Sequence, residues 1–126
     1  MTCPFCSLDP SRIILANDHS MAINDAYPVT LGHTLIIPKR HYASFFEANS
    51  DDQAAMFNLL TEVRKVLIEE LSPDGFNIGI NDGTAAGQTI MHLHLHLIPR
   101  YNGDIEDPRG GVRWIMPDKA PYWRNP

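Results

Sequence analysis

The chain has 126 residues, 44% apolar and 20% charged, with a net charge of −5 when histidine is neutral. That length fits one domain with its own core, and the acidic balance argues against nucleic acid or an anionic membrane as partner. No stretch approaches the roughly 18 apolar residues of a membrane span, and the N-terminus lacks a basic and then apolar leader, which together point to the cytoplasm. An anionic small molecule stays open, because a pocket's local field can oppose the global sign.

Met1 to Pro10 is irregular around Cys3 and Cys6, the only two cysteines. "RIILAN" and "MAINDAY" (Met21 to Tyr27) follow as short strands around a tight turn at Asp18-His19-Ser20. "HTLIIPK", His33 to Lys39, is a buried strand ended by Pro38. Ser50 and Gln53 form a capping box, with Asp51 and Asp52 suited to a helix N-terminus. Met56, Leu59, Leu60, Val63, Val66, Leu67 and Leu71 carry that helix at 3- and 4-residue spacings until Pro73 and Gly75 stop it. "GFNIGIN" (Gly75 to Asn81) alternates as a strand, "DGTAAG" is a loop, and "IMHLHLHLIPR" is a strand of strict period 2. The expected fold is α+β with a mainly antiparallel sheet, in one domain spanning 1–126. A tail from residue 101 is irregular but packed, because Trp114, Ile115, Tyr122 and Trp123 are costly to leave in water.

On a strand His92, His94 and His96 share one face, spaced by roughly 7 Å, while Leu93, Leu95 and Leu97 face the core. A merely solvated face would mix Thr, Lys, Glu and Ser. A single metal site needs strong bending to use all three rings, and two of three is easier. Catalysis is the other option, because imidazole titrates near neutrality and can act as nucleophile, acid or base. The loop "NDGTAAGQT" ahead of the strand, with Gly83, Gly87 and the Thr89 hydroxyl, could present donors to a phosphate.

The pair "CPFC" is half of a tetrahedral zinc site. Histidine must complete it, from among His19, His33, His41, His92, His94 and His96. Cys3, Cys6, His41 and one strand histidine make a chemically complete set. The alternatives are two small buried thiols at a frayed terminus, or a redox pair, which lacks the preceding strand that would seat it.

The run "HLHLHLI", His92 to Ile98, resembles the signature of the histidine-triad (HIT) superfamily. "GHTLIIPKRH", "NDGTAAGQT" and "PRGGVRWIMP" are similar to segments of bacterial members, so the resemblance runs from the Cys pair to Pro117. It implies a HIT-like fold: a five-stranded, mainly antiparallel sheet, one long helix, a short one, an N-terminal zinc knuckle (1–10) and a C-terminal tail (101–126). It also implies a hydrolase acting on nucleoside phosphates, with His94 attacking the α-phosphorus to form a nucleotidyl-histidine. His96 would hold or protonate phosphate oxygens. Gln88 would act at the phosphate and leaving group with Thr89, in the loop that carries Gly87. Asn81 would line the phosphate site, Asp25 would meet the ribose, and His33 would form the wall behind the triad. Zinc-containing relatives imply a structural zinc on Cys3, Cys6, His41 and His92.

The resemblance leaves a nucleoside phosphoramidase or a dinucleoside polyphosphate hydrolase, both releasing a nucleoside monophosphate from a purine nucleotide, and implies a homodimer. A nucleotidyltransferase is weaker, since no acceptor-site domain is evident. A nucleotide- or zinc-binding adaptor with vestigial activity is the non-enzymatic alternative. A cupin-like oxygenase would need a carboxylate beside the H-x-H pair and many more strands. Within the tail, Arg113, Trp114 and Trp123 are candidates for leaving-group selectivity.

Overall fold

A computed structural model of the chain describes residues 3–124. Five strands, β1 (Ile13–Ala16), β2 (Ser20–Asn24), β3 (Thr34–Pro38), β4 (Gly75–Ile80) and β5 (Leu95–Arg100), form one antiparallel sheet in the order β1-β2-β3-β5-β4. The helix α1 (Ser50–Leu71) covers one face. The remaining helical elements are short 3-10 turns rather than a second α-helix.

Local chemistry explains the elements. The β1–β2 turn is held by Asn17, whose Oδ1 accepts from the N–H groups of His19 and Ser20 and from the Ser20 hydroxyl. The cap of α1 falls one residue earlier than expected: Asn49 is the N-cap and accepts from the Asp52 N–H at 2.8 Å, and Ser50 is already helical. Ala55, Met56, Leu59, Val63 and Leu67 face inward at helical spacing and pack on Ala22, Ile36, Leu93, Leu95 and Leu97. Fully burying each such leucine is worth about 2 kcal/mol. Gly32 has φ +91°, and a Cβ there would lie 2.7 Å from Leu71 Cδ1, so the turn leading to His33 packs against α1 only as glycine.

The opposite face carries a smaller cluster of Phe5, Ile23, Leu35 and Ile37, under the N-terminal turn. Interior strand β5 pairs with β3 (Leu35↔His96) and with β4 (Gly79↔His96), so His96 has a strand on either side. The ladder begins only at Leu95, so the expected strand over the whole histidine run is corrected: His92 and His94 lie ahead of it. The pairing register would next match His94 with Ile37 and then Leu93 with Pro38, but the ladder stops at Ile36↔Leu95, and the Leu93 N–H donates instead to the Tyr42 carbonyl at 2.7 Å. The alternation persists: Leu93 packs on the α1 side while the rings of His92 and His94 meet Phe5 on the other.

The tail departs from the expected packing. Ile115 is 80% and Tyr122 62% exposed. Trp123 is partly covered, with the Arg109 guanidinium over its ring at 4.6 Å. Apolar residues are not confined to interiors, so an aromatic-rich tail can stay largely on the surface. Among the described residues no helix is long and apolar enough to cross a membrane.

Candidate active site and metal centre

The triad histidines are not equivalent, and hydrogen bonding assigns each ring its free nitrogen. His92 is fully buried, and its Nε2–H donates to the Pro38 carbonyl at 2.8 Å. Its Nδ1 lone pair therefore faces Cys3 Sγ at 3.5 Å, Cys6 Sγ at 3.6 Å and His41 Nδ1 at 3.1 Å. Cys6 Sγ lies 3.4 Å from His41 Nδ1. Tetrahedral zinc with ordinary Zn–N and Zn–S bonds sets its ligand atoms about 3.3–3.8 Å apart. The four residues fit a zinc ion on spacing, donor type and tautomer. Burial lowers the His92 pKa, opposed by its bond to Pro38, so the ring is neutral and able to ligate.

The local fold builds this cluster. Cys6 N–H donates to Cys3 O at 3.1 Å, which closes the knuckle and turns both sulfurs to one side. Phe5 between them points inward, 5% exposed, and its ring sits edge-on to His92 and His94 with centroids at 5.7 and 5.3 Å.

His94 Nδ1 lies 2.8 Å from the carbonyl oxygen of His92. A carbonyl can only accept, so Nδ1 carries the proton and Nε2 keeps its lone pair. The His94 and His96 ring centroids are 5.2 Å apart.

His96 belongs to a second chain of bonds. The Val29 N–H donates to His33 Nδ1 at 3.1 Å, so the His33 proton sits on Nε2. That Nε2–H lies 3.0 Å from His96 Nδ1 and 3.3 Å from Asp25 Oδ2. His96 Nδ1 is thus an acceptor, and its proton is on Nε2. Burial, then His94 and His33, press the His96 pKa down to about 4, against the opposing pull of Asp25. His33 is lowered too, first by burial. Asp25, His33 and His96 also stand close enough to hold a cation. The protonated Nε2 of His33 turns a hydrogen rather than a lone pair toward that space, unlike Nδ1 of His92.

The other expected residues divide. Asp25 Oδ1 accepts from the Tyr27 N–H at 2.7 Å, closing the turn after β2. Asn81 lines a cleft of about 1090 Å³ with His33, His96, Leu31, Ile98 and Trp114. Gln88 is 5% exposed and fully engaged: Oε1 accepts from Gly83 N–H, and Nε2 donates to Ala43 O and Ile90 O. It braces the loop. The N–H groups of Ala86, Gly87 and Gln88 are bonded inside the loop, so these three do not point at a ligand. Thr89 is exposed. Asp82 was not singled out by the sequence, yet it accepts from Ser44 Oγ and Phe45 N–H and ties this loop to residues 44–45. Its place in "NDG", next to Asn81, was the available signal.

A HIT domain family model matches residues 8–103, and the chain belongs to the histidine-triad (HIT) family. It is similar to a zinc-bound histidine triad family protein from Mycobacterium smegmatis, with a TM-score of 0.75, 39% identity, and coverage of 82% of this chain and 78% of that one. An uncharacterized HIT-like protein of Methanocaldococcus jannaschii is 38% identical over 110 residues, 82% of this chain and 83% of the relative. The adenylylsulfatase HINT3 of Arabidopsis thaliana is 36% identical over 106 residues, 81% of this chain and 54% of that protein.

Proposed function

We propose that the protein is a nucleotide hydrolase that cleaves at the α-phosphate of a purine nucleoside phosphoramidate or dinucleoside polyphosphate and releases the nucleoside monophosphate. The carrying observation is the bond from His94 Nδ1 to the His92 carbonyl, which leaves Nε2 unprotonated. Membership in a family that includes a protein named as an adenylylsulfatase supports the substrate class.

In the first step the Nε2 lone pair of His94 bonds to phosphorus, and the bond to the leaving group breaks with its electron pair. The ring becomes cationic, and its Nδ1–H still points at the His92 carbonyl, which stabilises that charge. The Nε2–H of His96, fixed by His33, donates to a non-bridging oxygen. The leaving group takes up a proton from solvent as its basicity requires; water then attacks phosphorus and gives up a proton to solvent, the P–N bond breaks, and His94 recovers its lone pair. Thr89 supplies a further donor at the loop, Asn81 lines the phosphate side, and Asp25 takes the ribose hydroxyls.

Cys3, Cys6, His41 and His92 would hold zinc as a closed, structural site. When bound, the ion supplies charge and rigidity with no open position for water. The free edge of β4 is where we place a second copy in a homodimer.

A turnover panel tests the function: adenosine phosphoramidate, diadenosine polyphosphates, adenylyl sulfate and guanosine counterparts. Turnover lost in His94→Ala with nucleotide binding retained supports a hydrolase. Absence of turnover in the unaltered protein on every member favours an adaptor.

A further inference from the structure

The segment between β3 and residue 44 holds the site together. Pro38 O receives His92 Nε2–H, His41 offers Nδ1 to the metal cluster, Tyr42 O receives Leu93 N–H at 2.7 Å, and Ala43 O receives Gln88 Nε2. Yet residues 39–44 have no regular secondary structure, and His41 is exposed. Such a stretch is mobile unless tied down.

The tie lies outside every motif. Asp52, on the first turn of α1, is 1% exposed. Its Oδ2 accepts from Arg40 and from the Tyr42 hydroxyl, each at 2.7 Å. These are the two residues flanking His41. Oδ1 has no hydrogen bond and sits 3.4 Å from His19 Nδ1, while the His19 carbonyl accepts from Lys39 N–H. A buried carboxylate is costly to desolvate. Here it gathers Arg40, Tyr42 and His19, from two neighbouring loops, onto the long helix. Nothing in the proposed chemistry uses this carboxylate directly.

We propose that Asp52 is a positioning residue that clamps the His41 arm to α1 and thereby sets both the metal ligand His41 and the backbone that aims His94. It acts through Arg40 and Tyr42, on either side of the ligand. This rests on the four-residue metal site proposed above.

The test uses the full chain and zinc itself. Competition with a chelating dye measures zinc affinity, and hydrogen exchange at the Leu93 amide measures the arm in zinc-free protein. Asp52→Asn should weaken zinc by about 10- to 100-fold, the usual effect of losing a partner behind a ligand. The double variant Arg40→Gln/Tyr42→Phe should do the same while leaving Asp52 and all four ligands in place. It decides the matter if Asp52→Asn fails to fold, because Arg40 is 62% exposed. Leu93 should exchange faster in either variant. A simple packing role would lower thermal stability but leave zinc affinity within about twofold and Leu93 exchange unchanged, and that result overturns the proposal. If the unaltered protein binds no zinc, the metal reading fails by itself. Leu93 exchange then decides whether Asp52 holds the arm, and an unchanged rate overturns it.

Discussion

His94 Nδ1 donates to the carbonyl oxygen of His92 across 2.8 Å. One residue thus joins two groups: its ring faces the cysteines and its carbonyl orients the His94 ring. In the proposed mechanism the aim of His94 therefore depends on the Cys3, Cys6 and His41 cluster through the backbone of His92.

His94→Ala should therefore lower turnover by about 10⁴- to 10⁶-fold, as deletion of a covalent nucleophile does, with little change in nucleotide affinity. Quenching the unaltered enzyme mid-turnover and mapping the adduct by mass spectrometry should place the nucleotidyl group on His94. An adduct on His92 or His96 would sink the division of roles.

Removing the metal should act on both stability and rate. Cys6→Ser replaces a thiolate ligand in an exposed position and should leave less than one zinc per chain. A chelator should lower the melting temperature of the unaltered protein by at least about 4 °C, corresponding to 1 kcal/mol or more for a domain of this size. kcat should fall more than KM changes, because His92 loses its fixed place while the cleft is untouched. Identical melting with and without chelator would remove zinc from the structural account.

That a strand histidine would join the cysteines was legible because "CPFC" is half of a tetrahedral site; the family resemblance pointed to His92, and the structure sets that ring beside Cys3, Cys6 and His41. The strand boundary was not legible: alternation records which face a side chain takes, and Leu93 keeps its face although no ladder partner reaches it. Gln88 shows a second limit. A motif names the residue, but only the fold shows its amide turned inward to Gly83, Ala43 and Ile90. Asp52 was read only as an acid suited to the helix N-terminus. Its burial depends on Arg40 and Tyr42 arriving from another part of the chain, which no local pattern encodes.

Gln88→Met tests the brace. It keeps the volume, removes three hydrogen bonds, and leaves the Gly83 N–H and two carbonyls to find water. Thermal or denaturant unfolding should show a loss of about 1–3 kcal/mol. kcat should fall with it as the loop shifts. A full loss of activity at unchanged stability would instead support direct contact between Gln88 and the phosphate.

Acid should destabilise the protein through histidines before its carboxylates titrate. Burial, then His94 and His33, hold His96 down to about 4 in the folded state, against about 6.5 in an unfolded chain. Between those values the unfolded chain binds a proton that the folded one does not, so this contribution is complete above about pH 6.5 and is lost as pH falls toward 4. His33 and His92, lowered mainly by burial, act in the same direction. His96→Asn removes one of these groups. Its stability should fall less than that of the unaltered protein between pH 7 and 4.5, by about 1–2 kcal/mol after allowing for solvent at the partly exposed ring. Parallel pH–stability curves for the two proteins would mean that the His96 ring titrates as in solvent. In the unaltered enzyme a neutral His96 also keeps its Nε2–H donor and the bond from His33, so the acid limb of kcat/KM should show no His96 step near 6.5.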